Sequence, residues 1–246
     1  MTTPANWYPD PAGSGQLRYW DGSVWTEHLA GPEPVALQPY RRPSVSGVLS
    51  IVGIAATLLA QLILAVLAVP SFDKVADEIA LGSERGLVWT AYDTAGLLAF
   101  VVMVAAGIAS CVWLWAARCN AEALRPQARH ARARGWVWGS WICPVVSLWF
   151  PYQCVRDVTR ATAPDGRARV GWWWAAYLVF SLLVASAQSV ADSGSTIQEV
   201  HDLGITMAAL HGVIVLIGLV AGGLWILNLV RVDRDQAAAA KAAGAL

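Results

Sequence analysis

Four long apolar runs punctuate the chain: Val45–Val69, Trp89–Ala117, Trp172–Val190 and Gly204–Val230. Counting Asp, Glu, Lys, Arg and His, the first and third runs carry none, the second only Asp93 and the fourth only His211. At ~1.5 Å of rise per residue, a helix over each run is about long enough to cross a hydrocarbon core of roughly 30 Å. A fifth apolar stretch, Gly135–Val155, breaks the pattern. It holds Trp136, Trp138, Trp141 and Trp149 and is interrupted by Pro144 and Pro151. Each proline removes a backbone donor, which predicts two short helices joined by a break.

Ahead of the runs, residues 16–20 and 24–28 read as short strands turning at Asp21-Gly22, a favoured hairpin pair. Trp7, Tyr8 and Pro9 are expected to pack across them, with Trp7, Trp20 and Trp25 as the core of so small a module. Residues 31–44 read as a proline-rich linker, 70–88 as an amphipathic and on balance acidic connection, and 233–246 as an alanine-rich helical tail. The predicted fold class is mainly α: a multi-pass α-helical membrane domain over 45–232, behind a β mini-domain at 1–30.

Charge assigns the sides. Lys and Arg accumulate in cytoplasmic loops of membrane proteins. Arg41 and Arg42 precede the first run, five arginines lie between Arg118 and Arg134, and four more between Arg156 and Arg169. Residues 191–203 contain no Lys or Arg. Four crossings satisfy this distribution, with both termini cytoplasmic in the cell membrane. The stretch 135–155 then has arginine-rich sequence on the same side at both of its ends, so it re-enters or lies at the interface. The alternative is a fifth crossing, which would carry one arginine cluster to the outside. A re-entrant backbone needs protein partners for its polar groups.

Composition narrows the function. The chain is 57% hydrophobic and 14% charged, with a mean hydropathy of +0.48, too apolar for an ordinary soluble domain. A net charge of zero argues against nucleic-acid binding. Cys111, Cys119, Cys143 and Cys154 form no CxxC pair and no zinc spacing, so they read as small apolar residues in or near the spans, and neither a metal nor a cofactor is expected. The polar first forty residues predict no signal peptide.

Three sets of residues carry candidate chemistry. Asp93 and His211, with Gln61 and Gln188, lie towards the outer face on four different spans and predict a polar cluster built on an Asp93–His211 ion pair. On the inner face, Arg118, Asn120, Glu122, Arg156, Asp157 and Arg160 either clamp the two basic loops together or hold lipid phosphates through guanidinium forks. In the N-terminal module, Trp7, Tyr19, Trp20 and Trp25 offer an aromatic groove for a proline-rich or extended peptide. Pro32, Pro34 and Pro39 of the chain's own linker are one candidate ligand.

Asn6–Leu29 (NWYPDPAGSGQLRYWDGSVWTEHL) resembles a short bacterial domain of unknown function with the pattern WYPDP…G…RYWDG..WT. That resemblance implies an N-terminal module on a multi-pass membrane protein, without a catalytic role. Residues 113–124 (WLWAARCNAEAL), the Trp/Pro segment from Gly135 to Pro144, and residues 151–157 (PYQCVRD) resemble a second bacterial membrane family of unknown function, over roughly 45–232. Ala117 and Cys119 stand where that family's pattern has arginine, so neither position has a charge role.

No nucleophile elbow, phosphate loop or zinc-hydrolase motif is present, and the expected function is non-enzymatic. The cytoplasmic Trp-rich module docks a protein or peptide partner, while the membrane domain, surrounded by lipid, anchors or senses. A small transporter using Asp93 and His211 is the alternative, and a lipid-modifying enzyme the third reading.

Overall fold

The computed structural model describes residues 4–13, 16–30, 40–41, 43–84, 88–163, 169–191 and 196–243. Most of the proline-rich linker, with Arg42, Arg167 and Asp192, lies outside the described residues. Met1–Pro39 and Tyr40–Leu246 form two compact units.

The first unit is an antiparallel sheet of three strands, β1 (Asn6–Pro9), β2 (Leu17–Trp20) and β3 (Trp25–Ala30), in the order β1-β2-β3. Residues 7–9 therefore pair as a third strand beside the hairpin instead of packing over it. The turn is also longer than Asp21-Gly22. Asp21 Oδ1 accepts the amides of Ser23 (2.7 Å) and Val24 (2.7 Å) and the Ser23 hydroxyl (2.8 Å), while Gly22 supplies a φ of +102°. The Val24 and Ser23 amides hold the Asp21 carboxyl below its usual range. At the other connection Asp10 is buried and pairs with Arg18 Nε at 3.0 Å.

Side chains alternate across a strand, and the register Trp7↔Tyr19, Asn6↔Trp20 and Trp20↔Trp25 separates the aromatics. Trp7 and Tyr19 share one face. Tyr8, Trp20 and Trp25 share the other. Trp7 and Trp25 remain 41% and 38% exposed, so the tryptophans do not form one enclosed core: among the described residues the sheet is a single layer with nothing to bury them.

The second unit contains α1 (Ser44–Ala80), α2 (Ala91–Leu124), α3 (Trp136–Gly139), α4 (Phe150–Thr162), α5 (Val170–Ala191) and α6 (Ile197–Ala242). Among the described residues, α1, α2, α5 and α6 are long and apolar enough to cross a membrane. Large side chains such as Leu62, Val66, Phe100, Val101, Leu182, Leu216 and Leu219 are exposed along them. That much exposed apolar surface suits lipid, not water. The protein is a multi-pass membrane protein.

The helices run past the apolar runs. α1 continues ten residues beyond Pro70 to Ala80, where an amphipathic connection is expected, because Phe72, Val75 and Ala76 bury against Val200, Leu203 and Met207 of α6. Thr196 caps α6 and Thr90 caps α2, each with a reciprocal acid three residues on, Glu199 and Asp93. The segment 135–155 forms no long helix. α3 is a single turn, a 3-10 turn follows at Val146–Leu148, and Pro151 opens α4 at its first turn instead of breaking a helix.

α6 packs against α1, α2, α4 and α5. Two apolar cores lie at its ends. One gathers Trp113, Leu114, Val137, Val155, Val158, Trp173 and Trp225; the other gathers Phe72, Val75, Val200, Leu203 and Met207. Between them the helices touch through small residues. A Cβ on Gly53 would lie 2.7 Å from Ala106 Cβ and 2.9 Å from its Cα, and one on Gly222 would lie 2.7 Å from Ile54 Cγ2.

These distances set a test. Gly53→Ala forces α1 and α2 apart and is expected to lower stability by about 1–3 kcal/mol. Gly107→Ala, where nothing lies within 4 Å of the new methyl, is expected to be neutral or to stabilise by up to ~1 kcal/mol. Thermal unfolding of the two variants in detergent decides between them.

Candidate functional site

The two ends of the membrane domain carry different polar chemistry. At the end holding the start of α2 and α6, His211 is 3% exposed and Gln61 5%. His211 Nδ1 lies 2.8 Å from Gln61 Oε1 on α1, and His211 Nε2 lies 2.7 Å from the Tyr92 hydroxyl on α2. The Tyr92 ring also meets Phe72 edge-on at 5.6 Å. Three helices are thus joined through one imidazole.

Asp93 does not belong to this cluster. Its Oδ2 accepts the Thr90 amide and hydroxyl, both at 2.7 Å, so the carboxylate closes the capping box and the neighbouring tyrosine faces His211. Nor does Gln188 join, for it is exposed on α5. Sequence reasoning missed Tyr92. A phenol beside a charged residue gives little signal, although its place in the first turn of α2, on a different face from Asp93, follows from helical spacing.

The opposite, basic end is held by α4 and by residues 125–135. Arg118 is 4% exposed, and its Nε donates to Glu122 Oε1 at 2.6 Å while a terminal nitrogen donates to the Arg132 carbonyl at 3.0 Å. Arg134 pairs with the other Glu122 oxygen. Asp157, also buried, accepts the Ala131 amide at 2.6 Å and pairs with Arg156 at 3.0 Å. Arg132 donates to Gln153 Oε1 at 2.8 Å and lies over the Phe150 ring, 3.8 Å from its centre. Glu122 and Asp157 thus tie the loop to α2 and α4, and Arg118 and Arg156 are committed to them. Arg160 is exposed.

Asn120 does something different. Its Oδ1 accepts the Arg41 amide at 3.2 Å and its Nδ2 donates to the Arg41 carbonyl at 2.8 Å. One side-chain amide reads one backbone residue as a neighbouring strand would. Behind it, fully buried Gln236 accepts from Asn120 Nδ2 (3.3 Å) and donates to the Ala117 carbonyl (2.8 Å) and Thr162 Oγ1 (3.2 Å). Sequence reasoning assigned Gln236 to a solvated tail.

The Trp/Pro segment packs on the same end. Trp141 meets Trp174 and Tyr177 at ring distances of 6.2 and 5.7 Å, and Trp174 Nε1 donates to the Leu148 carbonyl at 2.9 Å. Ile142, Val145 and Leu148 stay exposed. Among the described residues no group of His, Cys, Asp and Glu could hold a metal ion, and all four cysteines are free, with Cys143 exposed.

Residues 87–234, more than half of the chain, match the family described as Domain of unknown function (DUF4328). The chain belongs to the DUF4328 family. Residues 5–38 match a second family, described as Protein of unknown function (DUF2510). Comparison with curated proteins and with solved structures finds no match. The DUF4328 segment of this protein contains the whole basic-end loop, the Trp/Pro segment and α4. It also supplies Tyr92 and His211, whereas Gln61 and the Arg41 backbone lie outside it. Gln236 lies just past its end.

The aromatic residues of the DUF2510 segment do not line one groove. Trp7 and Tyr19 meet at 5.3 Å on one face of the sheet. On the other, Trp25 meets Trp20 at 5.1 Å and Tyr8 at 6.2 Å, both edge-on.

Two outcomes follow for the basic end of this DUF4328 protein. Asn120→Ala removes both hydrogen bonds to Arg41, worth about 1 kcal/mol each, and is expected to speed trypsin cleavage after Arg41 by roughly tenfold; an unchanged rate would mean that the contact holds nothing. The second concerns His130, whose ring nitrogens are buried without a hydrogen-bond partner. Burial, then the Arg118 charge, hold it below its ordinary value of 6.5. The unfolded loop therefore takes up a proton first, and the folded loop loses stability as pH falls below that value. The protection factor of the Ala131 amide, its exchange rate corrected for the pH dependence of the intrinsic rate, is expected to fall from about pH 7 to about pH 5.5 and to lose that dependence in His130→Gln.

Proposed function

We propose that this protein is a non-enzymatic anchor of the cell membrane whose N-terminal sheet docks a proline-rich segment of a partner protein on the cytoplasmic side. The observation that carries the reading is the Tyr8–Trp25–Trp20 face. Three rings in edge-to-face contact, with Trp25 38% exposed, form an aromatic platform on a sheet that has no second layer among the described residues. Polyproline helices dock on such platforms because their shape is set before binding, so little entropy is lost. The peptide site is then Tyr8, Trp20 and Trp25, with Trp7 and Tyr19 holding the opposite face.

The orientation rests on charge. The loop with Arg125, Arg129, Arg132 and Arg134, together with the C-terminal Arg231 and Arg234, supports a cytoplasmic basic end and both termini inside. The Trp/Pro segment then enters from the cytoplasmic surface and returns to it. Its contacts with Trp174 and Tyr177 fall in the first two turns of α5, a depth of ~10 Å. Ile142, Val145 and Leu148 form its lipid-facing edge, and the Trp174 indole satisfies the Leu148 carbonyl, as irregular backbone at that depth requires.

Membrane vesicles of known sidedness test both parts. A labelled PxxP-repeat peptide is expected to bind inside-out vesicles containing the full chain and not right-side-out ones. Trp25→Ala should weaken binding at least ~10-fold, and Trp7→Ala by less than about twofold. Binding to right-side-out vesicles would overturn the orientation, and indifference to Trp25→Ala would overturn the docking face.

A further inference from the structure

At the basic end, the last turns of α2, the loop that follows it and the helix α4 together carry seven arginines: Arg118, Arg125, Arg129, Arg132, Arg134, Arg156 and Arg160. Four are committed within the protein. Arg118 and Arg134 share Glu122, Arg156 holds Asp157, and Arg132 holds Gln153 and the Phe150 ring. The remaining three, Arg125, Arg129 and Arg160, pair with no carboxylate among the described residues. Those three line one open groove of about 550 Å³, together with Leu124, Pro126 and Ala161.

We infer that this groove binds the phosphate head group of an anionic phospholipid. Position is the first argument. Arg125 is the residue at which α2, a membrane-crossing helix, ends, so the groove opens at the membrane surface where head groups lie. Charge is the second. The two acids of this region, Glu122 and Asp157, are already occupied by other arginines, which leaves three uncompensated guanidinium groups around one concavity. A charge that served only to fix the topology has no need to converge. Shape is the third. Guanidinium presents paired donors that match two phosphate oxygens. The volume falls in the range of sites for whole small molecules, larger than a bare phosphate requires. Leu124, Pro126 and Ala161 offer apolar wall to the glycerol and the first methylenes of a lipid. The site needs the basic end to lie at a bilayer surface, but it depends neither on which side that is nor on the N-terminal sheet.

Native mass spectrometry of the full chain, titrated with phosphatidylglycerol in detergent, tests it. The triple variant Arg125→Gln, Arg129→Gln, Arg160→Gln is expected to lose at least ~10-fold in apparent affinity. A control that removes the same charge from the tail, Arg231→Gln, Arg234→Gln, Lys241→Gln, should stay within about twofold. Replacing the same three groove arginines by lysine keeps the charge and loses the fork; it is expected to fall between, at roughly threefold. Should the glutamine triple fail to fold, this lysine triple and the single Arg129→Gln, each weakening binding roughly threefold, decide the question. Equal losses in the groove and tail variants would reduce the effect to diffuse charge and overturn the site. No loss in any groove variant would overturn it as well. Competition by millimolar inorganic phosphate would reassign the groove to a free anion and overturn the lipid.

Discussion

The architecture depends on how closely α6 can approach its neighbours. Lipid tails are as apolar as leucine, so burying leucine between helices gains little in a membrane, and association relies on tight contact and a few hydrogen bonds. Gly204, Gly218 and Gly222 supply the contact. A Cβ on Gly218 would fall 2.5 Å from Leu58 Cδ2, and one on Gly204 would fall 3.1 Å from the Val69 backbone. With those surfaces bare, α1 lies against α6 along most of its length. Ser50 then comes within 3.0 Å of the Trp225 indole and 2.7 Å of Ser110, which brings α2 into the same arrangement. The two polar networks at the ends are assembled on helices already brought together in this way.

The two ends spend polarity in opposite ways. At the Tyr92–His211–Gln61 end, a small number of polar groups satisfy one another across three helices. At the basic end, charge is dense and is sorted. Acids, ring faces and backbone carbonyls hold some guanidiniums in place, and the others stay directed to the surroundings. Sorting is achieved by α4, whose buried side carries Cys154, Val155 and Val158 into the core while its Gln153 and Asp157 meet the loop. The short amphipathic helix thereby joins an apolar core to an ionic network within four turns.

The spans could be read from the chain because their signal is additive: many apolar residues in a row speak for a bilayer whatever their neighbours do. Helix ends could not. The stretch after Pro70 contains Asp73, Asp77 and Glu78 and looks like a loop until Phe72 and Val75 are seen to meet Val200 and Leu203, partners far away in sequence. Polar residues were harder still, since a side chain's role depends on which one of its neighbours reaches it. Asp93 and Tyr92 are adjacent, yet one caps a helix and the other faces His211. Of the basic-end residues, Arg118, Glu122, Arg156 and Asp157 were evident as a clamp, whereas Asn120 turns to the Arg41 backbone, Arg160 stays exposed, and Gln236, which holds Asn120 from behind, looked like part of an alanine-rich tail. In the N-terminal sheet the aromatic content was plain. The third strand, which sends Trp7 and Trp25 to opposite faces, depended on a pairing that a turn dipeptide does not reveal.

α6 runs without a break from Ile197 to Ala242, carrying His211 into one polar network and Gln236 into the other. Along the helix axis these residues are ~38 Å apart at ~1.5 Å per residue. A hydrocarbon core is roughly 30 Å thick, so the rod fixes a length as well as a packing surface. A bilayer much thinner or thicker than the apolar run of α6 must deform around the rod or tilt it, at a modest cost for each ångström. One unbroken helix thus sets the separation of the two networks.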